Sequence, residues 1–377
     1  MSLVLEPAEL CGISLRNRFI RSAAIDSTPN AEGAVTEQSV RLFEGLAAGG
    51  IGLIVTGAAL ATPRPVPVRS TTYGIYSDAL IPGLRRLVEA AHRHGAKIAV
   101  QIVHTGAIVT GPRGEDRVVV VPSELDDAQT AQAANKVVTR EATADDIDRI
   151  IEDTVAAAKR GREAGFDAVQ FHACHGDLVA RFFSPLTNRR TDKWGGNAEN
   201  RWRILVETVR RIRAAVGPDY PLLTKFGVLD DAAGGATLEE GLAALQAMAE
   251  AGLSAAEISH SGVGGGVRPD RLPVEQGAEV VPYRQKAAAV KKAVGIPVIL
   301  VGGIRRLETA EEIVSSGDAD FVSLCRPFIR EPNLVRRWTS GDRAPAKCIS
   351  CQKCTGIMAR GEPLECGEER RIREGRG

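Results

Sequence analysis

Two histidines lie close together at a position where they could take part in chemistry. His172 and His175 follow a short apolar run at 169–171, which is typical of a buried β-strand that ends there. Imidazole rings in that position can hold a carbonyl oxygen or an oxyanion through hydrogen bonds. The alternative is a pair of structural histidines whose ring nitrogens have local partners. We favour a functional site, because imidazoles at the mouth of a buried strand take up volume that apolar side chains would otherwise fill.

A group of cysteines near the end of the sequence could bind a metal. Four of the seven cysteines fall between positions 348 and 366, and such clustering in a reducing compartment favours metal ligation over disulfides. Three thiolates in a short segment with a more distant fourth favour a [4Fe–4S] cluster. A Cys₄ zinc site more often uses two separate CxxC pairs, and zinc or no metal are the alternatives. The four residues are Cys348, Cys351, Cys354 and Cys366.

A glycine pair is the third feature with chemical meaning. The apolar segment IPVILV ends in Gly302 and Gly303, where backbone N–H groups could approach a phosphate closely. Arg326 follows a later apolar run and could add positive charge. In a barrel without a ligand, the same glycines would form only a tight turn. Taken together, the glycines and the arginine predict a phosphorylated ligand.

Short apolar runs alternate with longer amphipathic segments, and these elements must position the three groups. Eight such units favour an α/β fold of the (β/α)₈ TIM-barrel type, in which the active site lies at the C-terminal ends of the strands. A doubly wound sheet is less favoured, because no GxGxxG follows the first strand. The predicted strands are Arg18–Ala24, Gly52–Ala59, Lys97–His104, Ala168–Ala173, Leu222–Val228, Ala256–Ser261, Val298–Gly302 and Phe321–Cys325.

Helical periodicity is clearest in the segment Thr143–Ala164. Ile147 and Ile151 fall on one face, Thr143 with Asp146 resembles an N-terminal capping box, and Gly165 suits the C-terminal end. Long connections follow the third, fourth and sixth strands, and loops of this length commonly form binding walls; the first could contain its own hairpin. We expect residues 1–340 to form the barrel and residues 341–377 a short extension with the cysteine cluster.

The long segment that contains the histidines resembles one family of enzymes. It carries HxxHGxL followed by FxSPxxNxRTDxxGGxxENRxR and is similar to the old yellow enzyme family of FMN-dependent oxidoreductases. The similarity covers nearly all of residues 1–340. It implies a TIM barrel with FMN, reduced by NAD(P)H or a protein donor. It also implies hydride transfer to an α,β-unsaturated carbonyl compound, as in ene-reductases.

The resemblance assigns roles to individual residues. It implies that His172 and His175 polarise the substrate oxygen, that Gln101 bonds the flavin pyrimidine edge, and that Lys225 lies near flavin N1 and O2. A cation there would stabilise negative charge on the reduced ring; a structural strand-end lysine is the alternative. The residues implied to contact the isoalloxazine through their backbone are Ser22, Ala23 and Ala24, and those implied to hold the phosphate are Gly302, Gly303, Cys325 and Arg326.

Asp177 is a departure from the family pattern. Many relatives have a tyrosine two positions after the second histidine as proton donor, and this sequence has Asp177 there. An ionised carboxylate cannot donate a proton at neutral pH. Three interpretations remain open: a buried acid that replaces tyrosine, a group that recognises a cationic or hydroxylated substrate, or a structural residue with protonation from elsewhere.

The cysteine cluster resembles that of 2,4-dienoyl-CoA reductase and trimethylamine dehydrogenase, in which it passes electrons between FMN and another redox partner. This resemblance implies an alternative function, an amine or C–H dehydrogenase that passes electrons from FMN to an iron–sulfur cluster. A non-catalytic flavin- or metal-binding subunit is a further alternative. Because the chain ends soon after the cluster, we expect an iron–sulfur cluster either to need a separate electron-transfer protein or to be a relic with a structural role.

Composition excludes several other classes of function. The net charge is +1 at neutral pH, so nothing indicates binding to nucleic acid or to an acidic membrane surface. No apolar run approaches the roughly 20 residues that span a bilayer, and the N-terminus lacks the pattern of a signal peptide. We therefore expect a cytoplasmic protein with a small-molecule substrate. Whether it forms a homo-oligomer, and whether it uses NADH or NADPH, stays open.

Overall fold

Eight parallel strands close into a barrel in the computed structural model, which describes residues 2–63, 70–110, 116–124, 138–264 and 279–375. Neighbouring barrel strands pair in the order β3-β14-β13-β12-β11-β10-β6-β4, and pairing of β3 with β4 closes the ring. The barrel strands are β3 (Phe19–Arg21), β4 (Leu53–Leu60), β6 (Lys97–Val103), β10 (Ala168–Ala173), β11 (Leu222–Gly227), β12 (Ala255–Ser259), β13 (Val298–Val301) and β14 (Phe321–Leu324).

Helices surround the barrel and bury their apolar faces against it. Shorter elements lie at its two ends. The helices are α1 (Glu37–Ala48), α2 (Ile81–His92), α3 (Ala144–Glu163), α4 (Leu178–Phe183), α5 (Ala198–Val216), α6 (Leu238–Glu250), α7 (Arg284–Ala293), α8 (Leu307–Ser315), α9 (Arg326–Arg330), α10 (Leu334–Thr339), α11 (Lys353–Ala359) and α12 (Gly367–Arg373). The remaining strands are β1 (Ala8–Leu10), β2 (Ile13–Leu15), β5 (Tyr73–Gly74), β7 (Ala107–Thr110), β8 (Asp116–Val121) and β9 (Val138–Glu141). No helix among the described residues has the length and hydropathy needed to cross a membrane.

The TIM barrel predicted from the sequence is confirmed, with all eight strands in place. The largest difference between the predicted and the observed strand bounds is in β3, which ends at Arg21 rather than at Ala24. Residues 22–24 leave the ladder and line the cavity described below. Helix α3 begins as predicted: the Thr143 side chain accepts a hydrogen bond from the Asp146 N–H, and Asp146 accepts one from Thr143 in return. Gly165, with φ of 90°, follows its last turn.

A small hairpin at the N-terminus was not predicted. Strands β1 and β2 pair in antiparallel fashion, and Leu10, Ile13 and Leu15 pack against residues that point into the barrel, such as Leu53 and Leu223. The hairpin therefore closes one end of the barrel with apolar side chains. The alternation of apolar and polar residues in AELCGISL could have indicated it, but three-residue strands give too short a pattern to recognise.

The long connection after β6 contains the hairpin that the sequence allowed, since β7 pairs with β8 in antiparallel fashion. Strand β9 then joins β8 in parallel. Other parts of the predicted loop walls, at 111–115, 125–137 and 265–278, lie outside the described residues.

The segment that carries the cysteines packs against the barrel. The Leu364 N–H donates to the Asp26 carbonyl over 2.8 Å, and Arg330 pairs with Glu369 at 2.9 Å. The Ala346 N–H donates to the carbonyl of Arg305. These contacts bring the cysteines to the same end of the barrel as the C-terminal ends of the strands.

Candidate active site

The predicted catalytic and flavin-binding residues come from six different barrel strands or the turns after them, and they line a single cavity of about 390 Å³ at the C-terminal end of the barrel. Residues from different strands are far apart in the sequence and come together only when the barrel closes. The twelve predicted catalytic and flavin-binding residues on its wall are Ser22, Ala23, Ala24, Gln101, His172, His175, Asp177, Lys225, Gly302, Gly303, Cys325 and Arg326.

A tight turn after β10 brings the two histidines together. Nε2 of His172 lies 3.3 Å from Nδ1 of His175. His175 has a φ of 60°, a left-handed conformation that is strained for a residue with a side chain. Hydrogen bonds to the end of β12 hold it, because the His175 N–H donates to the His260 carbonyl over 3.1 Å and the Gly176 N–H to Ser261. A Cβ on Gly262 would lie 2.3 Å from the His175 carbonyl carbon, so this close approach requires glycine.

The outer ring nitrogen of each histidine has an oxygen partner. Nδ1 of His172 lies 3.1 Å from Oδ2 of Asp177, and Nε2 of His175 lies 2.9 Å from the Ser259 hydroxyl. Burial disfavours the charged form of His172, but its neighbours Cys174 and Asp177 outweigh burial and raise the pKa of the ring above its usual value. The Asp177 side chain itself is 44% exposed, so the interpretation of Asp177 as a deeply buried acid has no support.

A buried polar network forms the floor of the cavity. Nζ of Lys225 donates to the Ser22 hydroxyl over 2.5 Å and lies 3.2 Å from Glu257. Ser22 donates to the same carboxylate, and Gln170 donates to its other oxygen while it accepts a bond from Gln101. Although burial alone would raise the pKa of Glu257, Lys225 and these hydrogen bonds hold it below its usual value.

Sequence reasoning missed Glu257 and Gln170, and both are fully buried. A carboxylate inside the otherwise apolar AAEIS was the available indication, since ionisable groups are rarely buried without a partner. Lys225 has both a structural partner, Glu257, and a position on the cavity wall. The interpretation as a flavin-facing cation and the interpretation as a structural lysine at a strand end are therefore compatible.

The turn after β13 suits a ligand that approaches the backbone closely. Gly302 and Gly303 have φ values of 104° and 82°, which favour glycine. A Cβ on Gly303 would lie 1.7 Å from the Val280 carbonyl oxygen, so the turn leaves no space for a side chain. The cavity wall thus combines a glycine turn, the Arg326 cation, small apolar residues and the amide of Gln101. This set of groups fits the phosphate, the ring and the polar edge of FMN.

The four clustered cysteines line one small pocket next to the main cavity. Cys354 and Arg326 line both spaces. Burial raises the pKa of the Cys354 thiol to about 11. It also raises the pKa of the Cys348 thiol above its usual value. Among the described residues, the ligand atoms of His172, Cys174 and His175 form the only group of three that lie within 4.8 Å of one another.

The sequence and the site agree with known proteins. The model of the NADH:flavin oxidoreductase / NADH oxidase family matches residues 4–344. The chain belongs to this family. Its barrel is accordingly that of a flavin-dependent oxidoreductase family. The family, the fold and the flavin predicted from the sequence are confirmed, whereas the roles of individual residues stay predictions.

Two relatives from the same family show how much of each protein is shared. The NADH oxidase of Thermoanaerobacter brockii is 36% identical over 89% of this chain, which spans 51% of that protein. The NADPH dehydrogenase of Listeria welshimeri is 32% identical, and the alignment covers 89% of this chain and 94% of the relative. The chain thus spans about half the length of some curated relatives that it matches and nearly the whole of others.

Solved structures extend the similarity to the cysteine segment. A 2-naphthoyl-CoA reductase complex superposes with a TM-score of 0.84 at 25% identity, over 97% of this chain and 56% of that one. Histamine dehydrogenase from Rhizobium sp. 4-9 gives a TM-score of 0.81 at 25% identity, over 97% and 52%. Both superpositions extend beyond the residues that the family model matches.

Proposed function

We propose that the protein uses NAD(P)H to reduce the carbon–carbon double bond of an α,β-unsaturated carbonyl compound. The observation that carries this proposal is the pair of histidine nitrogens 3.3 Å apart on the wall of the cavity. Two N–H donors at that distance can converge on one carbonyl oxygen and stabilise the negative charge that develops on it. Bound FMN would supply the hydride.

The remaining residues of the cavity would bind and orient the flavin. Gln101 and Lys225 present an amide and a cation to its polar edge, and the buried carboxylate of Glu257 keeps the Lys225 ammonium in place at 3.2 Å. The backbone at Ser22, Ala23 and Ala24 would lie against the ring. Phosphate binding would fall to Gly302, Gly303, Cys325 and Arg326.

Anaerobic spectroscopy tests this cycle. We expect NAD(P)H to bleach the flavin absorbance and cyclohexenone to restore it, because the enone takes the hydride and a proton. Cyclohexanone, which lacks the double bond, is the matched control and should leave the flavin reduced. Flavin that NAD(P)H reduces but no enone reoxidises would contradict the proposed substrate class.

A second function has support from a specific contact. Cys354 lines both the main cavity and the cysteine pocket, so a metal cluster there would lie next to the flavin. Histamine dehydrogenase is among the similar structures. An amine or C–H dehydrogenase that passes electrons from FMN to a [4Fe–4S] cluster in residues 341–377, and then to a partner protein, is therefore the alternative. It predicts that an amine bleaches the flavin without NAD(P)H.

Metal analysis decides whether the cluster is present. We expect anaerobically purified protein to contain about four irons per chain and to show thiolate–iron absorption beneath the flavin bands. The sequence spacing, three cysteines in seven residues with a more distant fourth, supports iron–sulfur over zinc. Cys351→Ser should remove most of the iron, whereas Cys11→Ser, at the opposite end of the barrel, should not. About one zinc per chain without iron would contradict this prediction.

The role of Asp177 can be tested by supplying the missing phenol. If proton donation limits enone reduction, Asp177→Tyr should turn over faster than Asp177→Phe by at least about 100-fold, the effect expected of a positioned acid. The phenylalanine variant is the matched control, because it loses the same contact with His172 and has the same ring. Equal rates for the two variants would show that the proton comes from another source.

A further inference from the structure

We propose that His172, Cys174 and His175 form a binding site for a thiophilic divalent cation such as Zn²⁺ on the wall of the flavin cavity. The proposed reductase cycle uses the two histidines as hydrogen-bond donors and has no role for Cys174. The thiol of Cys174 is fully buried and lies against the same ring nitrogen that faces the other histidine. It is this convergence of three ligand atoms that points to a metal.

The distances agree with those of a tetrahedral site. Nε2 of His172 lies 3.3 Å from Nδ1 of His175 and 3.4 Å from Sγ of Cys174. Zinc bound at about 2.05 Å to nitrogen and about 2.3 Å to sulfur places two nitrogens about 3.3 Å apart and a nitrogen and a sulfur about 3.5 Å apart. The three atoms all lie within 4.8 Å of one another. The two pairs that include His172 therefore have the spacing that one ion requires, and the third pair lies close enough for a small movement of the side chains to complete the site.

Each outer nitrogen has an oxygen close by, as the outer nitrogens of metal-binding histidines usually do. Nδ1 of His172 lies 3.1 Å from the Asp177 carboxylate, and Nε2 of His175 lies 2.9 Å from the Ser259 hydroxyl. Oxygen partners on the outer nitrogens fix the ring orientation and direct the inner nitrogens at the ion. The left-handed backbone of His175, held by the end of β12, adds to this preorganisation.

The site has a route of access and a free coordination position. His172 and His175 line the cavity, whereas Cys174 lies behind them. An ion that enters through the cavity would meet the two nitrogens first, and a water molecule could complete the tetrahedron from the cavity side. Binding releases the thiol proton of Cys174 and the Nε2 proton of His172 to solvent, and the His175 proton moves to its outer nitrogen, so that one thiolate and two neutral imidazoles surround the ion.

Metal binding and substrate binding would exclude one another. A ring nitrogen whose lone pair is bound to a metal cannot donate a hydrogen bond to a substrate oxygen. Zinc at this site would thus remove both donors of the proposed oxyanion site and inhibit enone reduction. The two histidines would act as a reductase site without zinc and, together with Cys174, as a metal site with it.

X-ray absorption on the wild-type, FMN-loaded protein tests the proposal directly. With one equivalent of zinc, we expect one sulfur at about 2.3 Å and two imidazole nitrogens at about 2.05 Å. A shell of sulfur alone would mean that zinc binds the C-terminal cysteines, and a shell of oxygen and nitrogen without sulfur would mean adventitious binding. Either result would overturn the proposal.

A matched pair of cysteine variants gives an independent measurement with Co²⁺ as the probe. Cys174→Ser should lower cobalt affinity by at least about 100-fold and should abolish the thiolate-to-cobalt absorption band. The magnitude follows because loss of a ligand should weaken binding at least as much as loss of a residue that hydrogen-bonds to a ligand. Cys11→Ser should change neither the affinity nor the band. Retention of FMN by both variants reports on folding. A cobalt band that survives in a folded Cys174→Ser variant would exclude Cys174 as a ligand. If that variant does not fold, the wild-type absorption measurement decides alone.

Discussion

Replacing both His172 and His175 by alanine should abolish phenolate binding and lower enone reduction by at least about 100-fold, while FMN stays bound. A phenolate oxygen resembles the charged oxygen of the reduced enone, and both would accept hydrogen bonds from the facing nitrogens, which lie 3.3 Å apart. The groups that would hold FMN belong to other strands: Gln101 is in β6 and Lys225 in β11. The double variant should therefore lose phenolate binding and keep its FMN.

Titration with para-nitrophenolate, followed by the change in flavin absorbance, measures the first effect, and the flavin content of purified protein measures the second. His92→Ala is the matched control, because His92 lies at the exposed end of α2 and pairs with Asp167 far from the cavity. Its phenolate affinity should equal that of the wild type. Phenolate affinity that survives in the double variant would remove the main support for the proposed reductase site.

The sequence predicted the fold well, because the relevant patterns are local. Each buried strand is a short apolar run, and helix α3 carries its own capping residues, Thr143 and Asp146. The hairpin of β1 and β2 escaped prediction because its apolar residues find partners only on the barrel interior. Local patterns specify an element, but they do not indicate which distant surface will cover it.

The site was predictable only in part, for the same reason. The family pattern indicated Lys225, but its partners are 32 residues away at Glu257 and 203 residues away at Ser22. These positions come together only when the barrel forms, because β11 and β12 are then neighbours and β3 lies across the barrel from β11. No spacing pattern in the sequence indicates such contacts. Asp177 was visible as a departure from the pattern, yet its contact with His172 depends on the left-handed turn at His175.

Replacing Lys225 by methionine should destabilise the apoprotein by about 3 kcal/mol, because it leaves the buried Glu257 carboxylate without its cation. Glu257 is completely buried and Lys225 is only 4% exposed, so the carboxylate would be poorly hydrated once the ammonium is gone. The carboxylate would retain hydrogen bonds from Ser22 and Gln170, which limits the loss. The variant should also bind FMN more weakly, since the cation at the polar edge of the flavin is gone.

A double-mutant cycle separates the ion pair from simple loss of packing. Lys225→Met combined with Glu257→Gln should be more stable than the sum of the two single changes predicts, by about 2 kcal/mol, because the neutral amide no longer requires a cation. Urea unfolding of the FMN-free proteins measures both values.

Lys291→Met is the matched control: its pair with Asp320 spans 2.9 Å but is partly exposed, so its loss should cost no more than about 1 kcal/mol. Equal destabilisation by Lys225→Met and Lys291→Met would mean that the Glu257 carboxylate is neutral or solvated in the apoprotein, and Lys225 would then serve the flavin alone.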